Sequence, residues 1–335
     1  MGNLCGRSAE CSVAASSSFH ASSSFHAVET DNNSSANLPL PFPDETSPAG
    51  NLNSFSLNDL KLATENFDWN SLLGEGSFGR VYKGWIDEET FAPTKPGVGI
   101  AVAVKKHKSE SHWGHNEWQA EVTYLGRLHH ENIIKLVGYC AESDSKILVY
   151  EYMPGGSLAN HLFREAQPIS WEMRISIAVD VARALSFLHS LETQVIYRDL
   201  KSSHVLLDSD FRAKLSDFGL ARNGPTGDET HVSTCVVGTV GHLTAKCDVY
   251  NFGALLLELI SGRTAGPHLH EKRDIPRTMD ARLEGRYPRK EAKAVAALAF
   301  RCTHADPIKR PNMAEVLAAL EEIKQSKDTS IAQAH

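Results

Sequence analysis

Val195 to Asp208, VIYRDLKSSHVLLD, sets an acid (Asp199) and two cations (Arg198 and Lys201) between two short apolar strands. An Arg-Asp-Leu-Lys tetrapeptide read alone is a solvated turn as readily as a site. Its company decides the reading. Asp217-Phe218-Gly219 follows after a further short strand, Ala213-Lys214-Leu215. Upstream, Leu72 to Val81 reads LLGEGSFGRV, with Gly74, Gly76 and Gly79 ahead of Val81. Backbone free of Cβ atoms can approach a phosphate chain closely. A glycine loop by itself is often a hairpin turn, but Val102-Ala103-Val104-Lys105 then delivers a cation at a strand end, and the pair is stronger than either part.

In this order the strings resemble the GxGxxGxV loop, the VAIK strand, the HRDLKxxN catalytic loop and the DFG motif of protein kinases. The resemblance runs from about Phe55 to Ile323. It implies an α+β, two-lobed protein kinase fold with a disordered N-terminal tail. A kinase-like domain is expected over 54–323, with a small β-rich lobe at about 68–152 and a larger helical lobe at about 153–323. Residues 1–53 form the tail and 324–335 a frayed end. The family's roles fall here residue by residue. Asp199 accepts the proton of the substrate hydroxyl, and Lys201 marks the Ser/Thr-directed branch. Gly74, Gly76, Gly79 and Val81 cover ATP, and Lys105 holds its α- and β-phosphates. The partner of Lys105 is Glu121, since the family string EVxxLxxLxHxNI fits it and neither Glu110 nor Glu117. Asp217 holds Mg²⁺, the backbone at Glu151 and Met153 meets adenine, and Tyr150 stands at the back of the pocket. Asp248, in DVYNFG, braces the catalytic-loop backbone. Arg310, in IKRPNM, matches the Arg that pairs with the glutamate of an APE motif.

FSLNDLKLATENF, the insertion Asp87 to Gly99, the GHNEWQAEVTYLG run and YRDLKSS look like a plant receptor-like cytoplasmic kinase, of the group resembling immune kinases cleaved by bacterial proteases. The partners implied are receptor-like kinases or other signalling proteins at the membrane. Oligomeric state is not legible.

A net charge of -7 gives no reason to expect nucleic-acid binding. Six cysteines without paired metal spacing suit a reduced, intracellular setting. Sixteen histidines show no HxxxH or HExxH spacing and read as surface or packing residues. No apolar run approaches bilayer length, so attachment has to come from lipid. Met1 to Ser8, MGNLCGRS, is similar to an N-myristoylation signal at Gly2, with Gly6 where Ser or Thr is usual. A single myristoyl chain binds only marginally, and palmitate on Cys5 would secure the chain to the cytoplasmic face of the plasma membrane. Without acylation it would be cytosolic. Residues 8–53 contain the tandem repeat ASSSFH-ASSSFH and then Pro39, Pro41, Pro43 and Pro48, too few large aliphatics to offset ordering entropy.

Local signals place helices. Ser56 with Asp59 starts one, with Leu57, Leu60 and Thr64 on one face. Ser170 caps a second whose stripe is Trp171, Ile175, Ala178, Val181, Ala182, Leu185 and Leu188. Phe252, Leu255, Leu256, Leu259 and Ile260 belong to an almost wholly apolar, buried helix. Asn312 with Glu315 opens the last.

Two departures cut against catalysis. His204 stands where the family has Asn, offering nitrogen where hard Mg²⁺ favours oxygen, although its N–H can still brace the loop. After Gly238-Thr239 the chain runs directly to Asp248, and about ten residues of the substrate-docking loop ending in APE are missing. Thr239 to Asp248 spans at most about 30 Å, enough to join the flanks but not to build a peptide shelf. Arg310 is then expected to be an uncompensated, half-buried cation. A second contraction, Thr264 to Pro276, leaves a further helix open. Thr226, Thr230, Ser233 and Thr234 lie in the activation segment, where a phosphate would engage Arg198. Two functions remain: an ATP-dependent Ser/Thr kinase, favoured by intact Lys105, Glu121, Asp199, Lys201 and Asp217, and a pseudokinase or scaffold, favoured by His204 and the lost APE. The second is preferred because the two defects act together.

Overall fold

The computed structural model describes residues 52–76, 79–107, 112–142, 145–165, 167–225, 232–236, 239–265 and 279–332. It has the expected α+β, two-lobed architecture. The smaller lobe is a six-stranded sheet in the order β1-β5-β6-β4-β3-β2. Its strands are β1 Asn53–Ser54, β2 Leu72–Gly76, β3 Gly79–Ile86, β4 Ile100–His107, β5 Leu136–Cys140 and β6 Ile147–Glu151. In β3 alternation decides the faces: Tyr82, Gly84 and Ile86 turn inward and Arg80 is exposed. Helix α1, Leu57–Ala63, starts on Ser56, whose hydroxyl oxygen accepts from Asp59 N at 3.0 Å. Its Leu60 and Ala63 join Phe55, Ile86, Val102, Val104 and Val149 in a core of their own. Helix α2, His112–Leu125, packs on β5 and β6.

The sheet begins earlier than expected. Asn53, assigned to the tail by its sequence, pairs with Gly138 in β5, and its side-chain amide donates to Val137 O at 3.0 Å. A two-residue strand has no alternation to betray it, and β1 is parallel to β5, so no hairpin turn announces it either.

The larger lobe is built on α4, Trp171–Ser190, which follows the short β7, Gly156–Ser157, and α3, Leu158–Phe163. Ser170 caps α4 through Met173 N, and all seven residues of the expected stripe are buried. Helix α5, Ala245–Ser261, is buried along most of its length and ends on Gly262 with φ of +61°, a left-handed conformation cheap only for glycine. Helix α6, Arg289–Cys302, packs on α5, and α7, Met313–Ala332, packs on α4. Fraying was expected from Gln325, but α7 continues to Ala332 because no Gly or Pro interrupts that stretch. Arg174, 1% exposed, reaches from α4 to Leu259 O at 2.6 Å and to Asp280 Oδ2 at 2.7 Å, tying α4 to the chain beyond α5. Residues 266–278, which cover most of the second contraction, lie outside the described residues, as do the acylation candidates Gly2 and Cys5.

Four short strands edge the cleft. β8, Val195–Ile196, pairs with β11, Arg222–Asn223, and β9, Val205–Leu207, pairs with β10, Ala213–Leu215. Past them, β12, Val232–Val236, and β13, Thr239–Leu243, form an antiparallel hairpin, with one residue, Thr244, between it and α5.

Candidate active site

Strand β4 carries Lys105 toward α2, where its Nζ lies 2.6 Å from Glu121 Oε1 and 3.0 Å from Asp217 Oδ1. Glu121 is wholly buried, and its second oxygen accepts from Tyr150 OH at 2.5 Å. Burial pulls the Lys105 pKa down, but Glu121 and Asp217 more than offset it and hold the ammonium charged. Three elements distant in sequence thus meet at one cation.

Asp217 sits just past β10 with φ of +59°, and Arg198 in the catalytic loop has φ of +78°. Both are left-handed conformations that cost a non-glycine residue energy and cluster at functional sites. The strain at Asp217 is compensated next door. Phe218 is buried and stacks edge-on against Tyr197 at 5.1 Å between centroids, and Tyr197 OH donates to Ser216 O. Burial would raise the Asp217 carboxyl, yet Lys105 and then His204 outweigh it and hold it below its ordinary range. The catalytic loop is braced from α5: Asp248, fully buried, accepts from Tyr197 N at 2.8 Å, Arg198 N at 2.7 Å and His189 Nε2 at 2.9 Å.

His204 closes the site. Its Nδ1 is 3.1 Å from Asp199 O and its Nε2 is 3.1 Å from Asp217 Oδ2. Asp199 Oδ2 lies 3.5 Å from Nδ1 and accepts from Lys201 Nζ at 2.9 Å. The imidazole therefore stands between the two acids, offering nitrogen as its sequence position implied. Burial pushes its pKa down despite Asp217.

Above this floor, Val81 pairs with Lys105 across β3 and β4. Gly74 and Gly76 face open space, whereas a Cβ on Gly79 would come within 2.2 Å of Lys106 O, so β3 can lie this close to β4 only with glycine there. At the other wall Glu151 ends β6, its N–H donating to Lys135 O at 3.1 Å and its carboxylate held by Lys214 at 2.7 and 2.9 Å. Met153 is buried, and its carbonyl accepts from Gly156 N at 3.1 Å.

Arg310 requires a correction. Instead of an uncompensated cation, its guanidinium donates to His304 O at 2.8 Å, Lys246 O at 2.9 Å and Ala305 O at 3.4 Å, and lies 4.9 Å from the centre of the Tyr250 ring. Carbonyl oxygens and a π-face replace the carboxylate, at no cost of burying a second charge. Of the activation-segment candidates, Ser233 and Thr234 lie in β12 of the hairpin, while Thr226 and Thr230 are outside the described residues.

Two buried groups beside the site carry no motif. Glu117, weighed above only as a rival to Glu121, is 5% exposed, and its Oε2 has no hydrogen-bond partner among the described residues. Burial, reinforced by Asp217, Glu121 and Asp199 against Lys105, raises its pKa to about 7. His107 in β4 has both ring nitrogens unpartnered among the described residues, and burial lowers its pKa to about 3. Its place two residues after Lys105 on the same strand face was the one available signal.

Residues 67–320 match the family of protein tyrosine and serine/threonine kinases. The chain is 51% identical over 328 residues to Receptor-like cytoplasmic kinase 176 of Oryza sativa subsp. japonica, covering 88% of this chain and 83% of the relative. To the probable serine/threonine-protein kinases PBL18 and PBL3 of Arabidopsis thaliana it is 53% and 52% identical, covering 84% and 83% of this chain and 79% and 71% of theirs. No helix among the described residues is long and apolar enough to cross a membrane. The chain belongs to the protein kinase family, among the plant receptor-like cytoplasmic kinases.

Proposed function

We propose that this chain is a nucleotide-binding receptor-like cytoplasmic kinase homologue whose transfer of phosphate to peptide substrates is impaired, so that it works as a signalling partner beside receptor-like kinases. The observation that carries this reading is the position of His204, 3.1 Å from Asp217 Oδ2 and 3.1 Å from Asp199 O. With Asn53 added from the sheet, residues 53–323 form the kinase domain, and the residues before it tether it to the plasma membrane through acyl chains on Gly2 and Cys5.

The residues present fit the triphosphate of ATP. Lys105 is held charged by Glu121 and Asp217, and Gly74 and Gly76 leave room above it. Gly79 and Val81 complete the cover, and the backbone at Glu151 and Met153 is the adenine wall. Asp217 supplies oxygen for one Mg²⁺, which when bound neutralises phosphate charge. A second Mg²⁺ does not fit, because the position that should offer a carbonyl oxygen offers an imidazole nitrogen. Asp199 would take the hydroxyl proton, with Lys201 at 2.9 Å steadying its charge, and Asp248 holds that loop in place. Among the described residues a hairpin occupies the stretch before α5 in place of a peptide shelf, and transfer without docking forfeits the proximity term. Arg310 serves structure alone, through carbonyl contacts.

The active-kinase reading is favoured by one observation, the formed Lys105–Glu121 pair at 2.6 Å. Radiolabelled phosphate incorporation into a generic peptide by wild type, His204→Asn and an Asp199→Asn blank separates the two. Wild type is expected at the level of the blank, with His204→Asn restoring little. Incorporation well above the blank establishes the active kinase instead. Membrane fractionation of Gly2→Ala tests the tether: the variant is expected in the cytosol, and an unchanged membrane fraction refutes acylation as the anchor.

A further inference from the structure

Strand β3 turns Val81, Lys83 and Trp85 to the same face as Lys105, since they lie opposite Lys105, Ala103 and Ala101 of β4. Tyr150, opposite Ala103 from the β6 side, shares that face, and Tyr152 follows two residues on, where the chain leaves β6. The ammonium of Lys83 lies 4.3 Å from the centre of the Tyr152 ring and 4.9 Å from that of Trp85. Both are within cation–π range. Among the described residues no carboxylate pairs with Lys83, so the two rings are what its charge meets. Trp85 is a neighbour on its own strand, but Tyr152 belongs to the chain that joins the lobes. In the sheet β4 separates β3 from β6, a width of about 10 Å at two strand spacings. The small Ala103 between them leaves room for the lysine side chain to cross.

Tyr152 stands between Glu151 and Met153, the adenine wall of the function proposed above, and Val81, two residues before Lys83, belongs to the cover. We infer that Lys83 is a positioning residue for the nucleotide base: held against Tyr152, it pins the adenine wall to β3 and so fixes the gap between wall and cover that the base enters. A flat base gains most from a slot set to its thickness beforehand, because walls already ordered lose no further freedom on binding. A cation–π contact suits this task, since it is directed at the ring face and needs no buried counter-charge. Lys83, Trp85 and Tyr152 are all half-buried, so water is partly removed from the contact, which strengthens it. The inference rests on the nucleotide-binding reading and adds to it a residue outside the motifs that carry that reading.

The test uses the full chain and a non-hydrolysable ATP analogue, titrated by thermal shift. Lys83→Met keeps the stem and removes the charge, and its affinity for the analogue is expected to fall about fivefold. Lys83→Arg keeps the charge and the ring contact and is expected within about twofold of wild type, whereas a lysine that only fills space would be replaced better by Met. Tyr152→Leu is expected to lose as much as Lys83→Met, and the double variant no more than either alone. Gly155 N and Gly156 N, bonded to Leu207 O and Met153 O, report on the wall without nucleotide. Amide exchange over residues 152–156 is expected to quicken in Lys83→Met and to hold at the wild-type rate in Lys83→Arg. Where Met disturbs folding, Lys83→Gln repeats both measurements. No stabilisation of wild type by the analogue overturns the nucleotide-binding reading, and amide exchange still decides whether Lys83 pins the wall. Wild-type affinity in Lys83→Met, additive losses in the double variant, or unchanged exchange in Lys83→Met overturns the pin while leaving nucleotide binding intact.

Discussion

Glu117→Gln should make the protein more stable at alkaline pH and much less so under mildly acidic conditions. Glu117 lies one helical turn before Glu121 on α2 and packs so closely on Gly219 that a Cβ there would come within 2.9 Å of the Glu117 Cβ. Glutamine keeps that shape. The groups facing the carboxyl are Lys105 from β4, Asp217 and Asp199 from the loops, and Glu121 on its own helix, and burial, joined by the three carboxylates and opposed only by Lys105, raises its pKa from 4.5 to about 7. The native state therefore keeps this proton after the unfolded chain has released it, and stability falls as pH rises from 4.5 to 7. A 2.5-unit gap at about 1.4 kcal/mol per unit amounts to about 3 kcal/mol, fully lost by pH 8 and about 1 kcal/mol at pH 5.5. The variant escapes this loss, and any constant offset from its amide cancels between the two pH values. For a domain of this size the advantage of Glu117→Gln should grow by roughly 4–8 °C in Tm between pH 5.5 and pH 8. Differential scanning fluorimetry in matched buffers measures it. A Tm difference that stays flat across that interval would refute an ionisation cost at Glu117.

Asp248→Asn replaces a carboxylate that accepts three donors by a group with one acceptor oxygen, and should cost about 3 kcal/mol, read as a lower midpoint in urea. In Gly138→Ala a Cβ would come within 2.2 Å of Asn53 O, so β1 should detach and limited proteolysis before Phe55 should accelerate while the rest of the domain resists. His107→Leu removes a buried imidazole whose pKa is lowered from 6.5 to about 3, so that stability otherwise falls as pH drops through that window; the variant should gain about 2 kcal/mol at pH 5 and nothing from this source at pH 8.

Local signals carried most of the fold. Ser56 and Ser170 cap the helices they were expected to cap because capping needs only a side chain and an amide three residues away. Lys105 and Glu121 were found through their strings, and the structure sets them 2.6 Å apart. What sequence could not give was anything decided by distant burial. Arg174 and Asp280 are 106 positions apart, and neither residue type advertises an interior role. Glu117 and His107 are unremarkable until α2 packs on β5 and β6 beside β4. His204 was legible as a nitrogen in place of an oxygen, but its place between two acids depends on the turn at Asp217, and that φ of +59° has no sequence signature.

The contacts around the catalytic loop separate what the shortened segment removes from what it leaves standing. The loop is held by α5, through Asp248 on the amides of Tyr197 and Arg198 and through Asn251, whose Nδ2 donates to Arg198 O at 3.1 Å. None of these contacts comes from the stretch between Thr239 and Thr244. Arg310, the residue with most to lose, recovers three carbonyl oxygens and the Tyr250 ring. Buried polar groups left unpaired cost about 1–3 kcal/mol each, and a domain has only about 5–15 kcal/mol in hand. A shortened segment that orphaned both the loop and Arg310 would have threatened the fold, whereas one that orphans neither leaves it standing and, on the function proposed above, removes only peptide docking. On that proposal, nucleotide binding and the kinase shape are physically separable from transfer to a peptide, because the contacts that hold the loop and Arg310 do not run through the shortened segment.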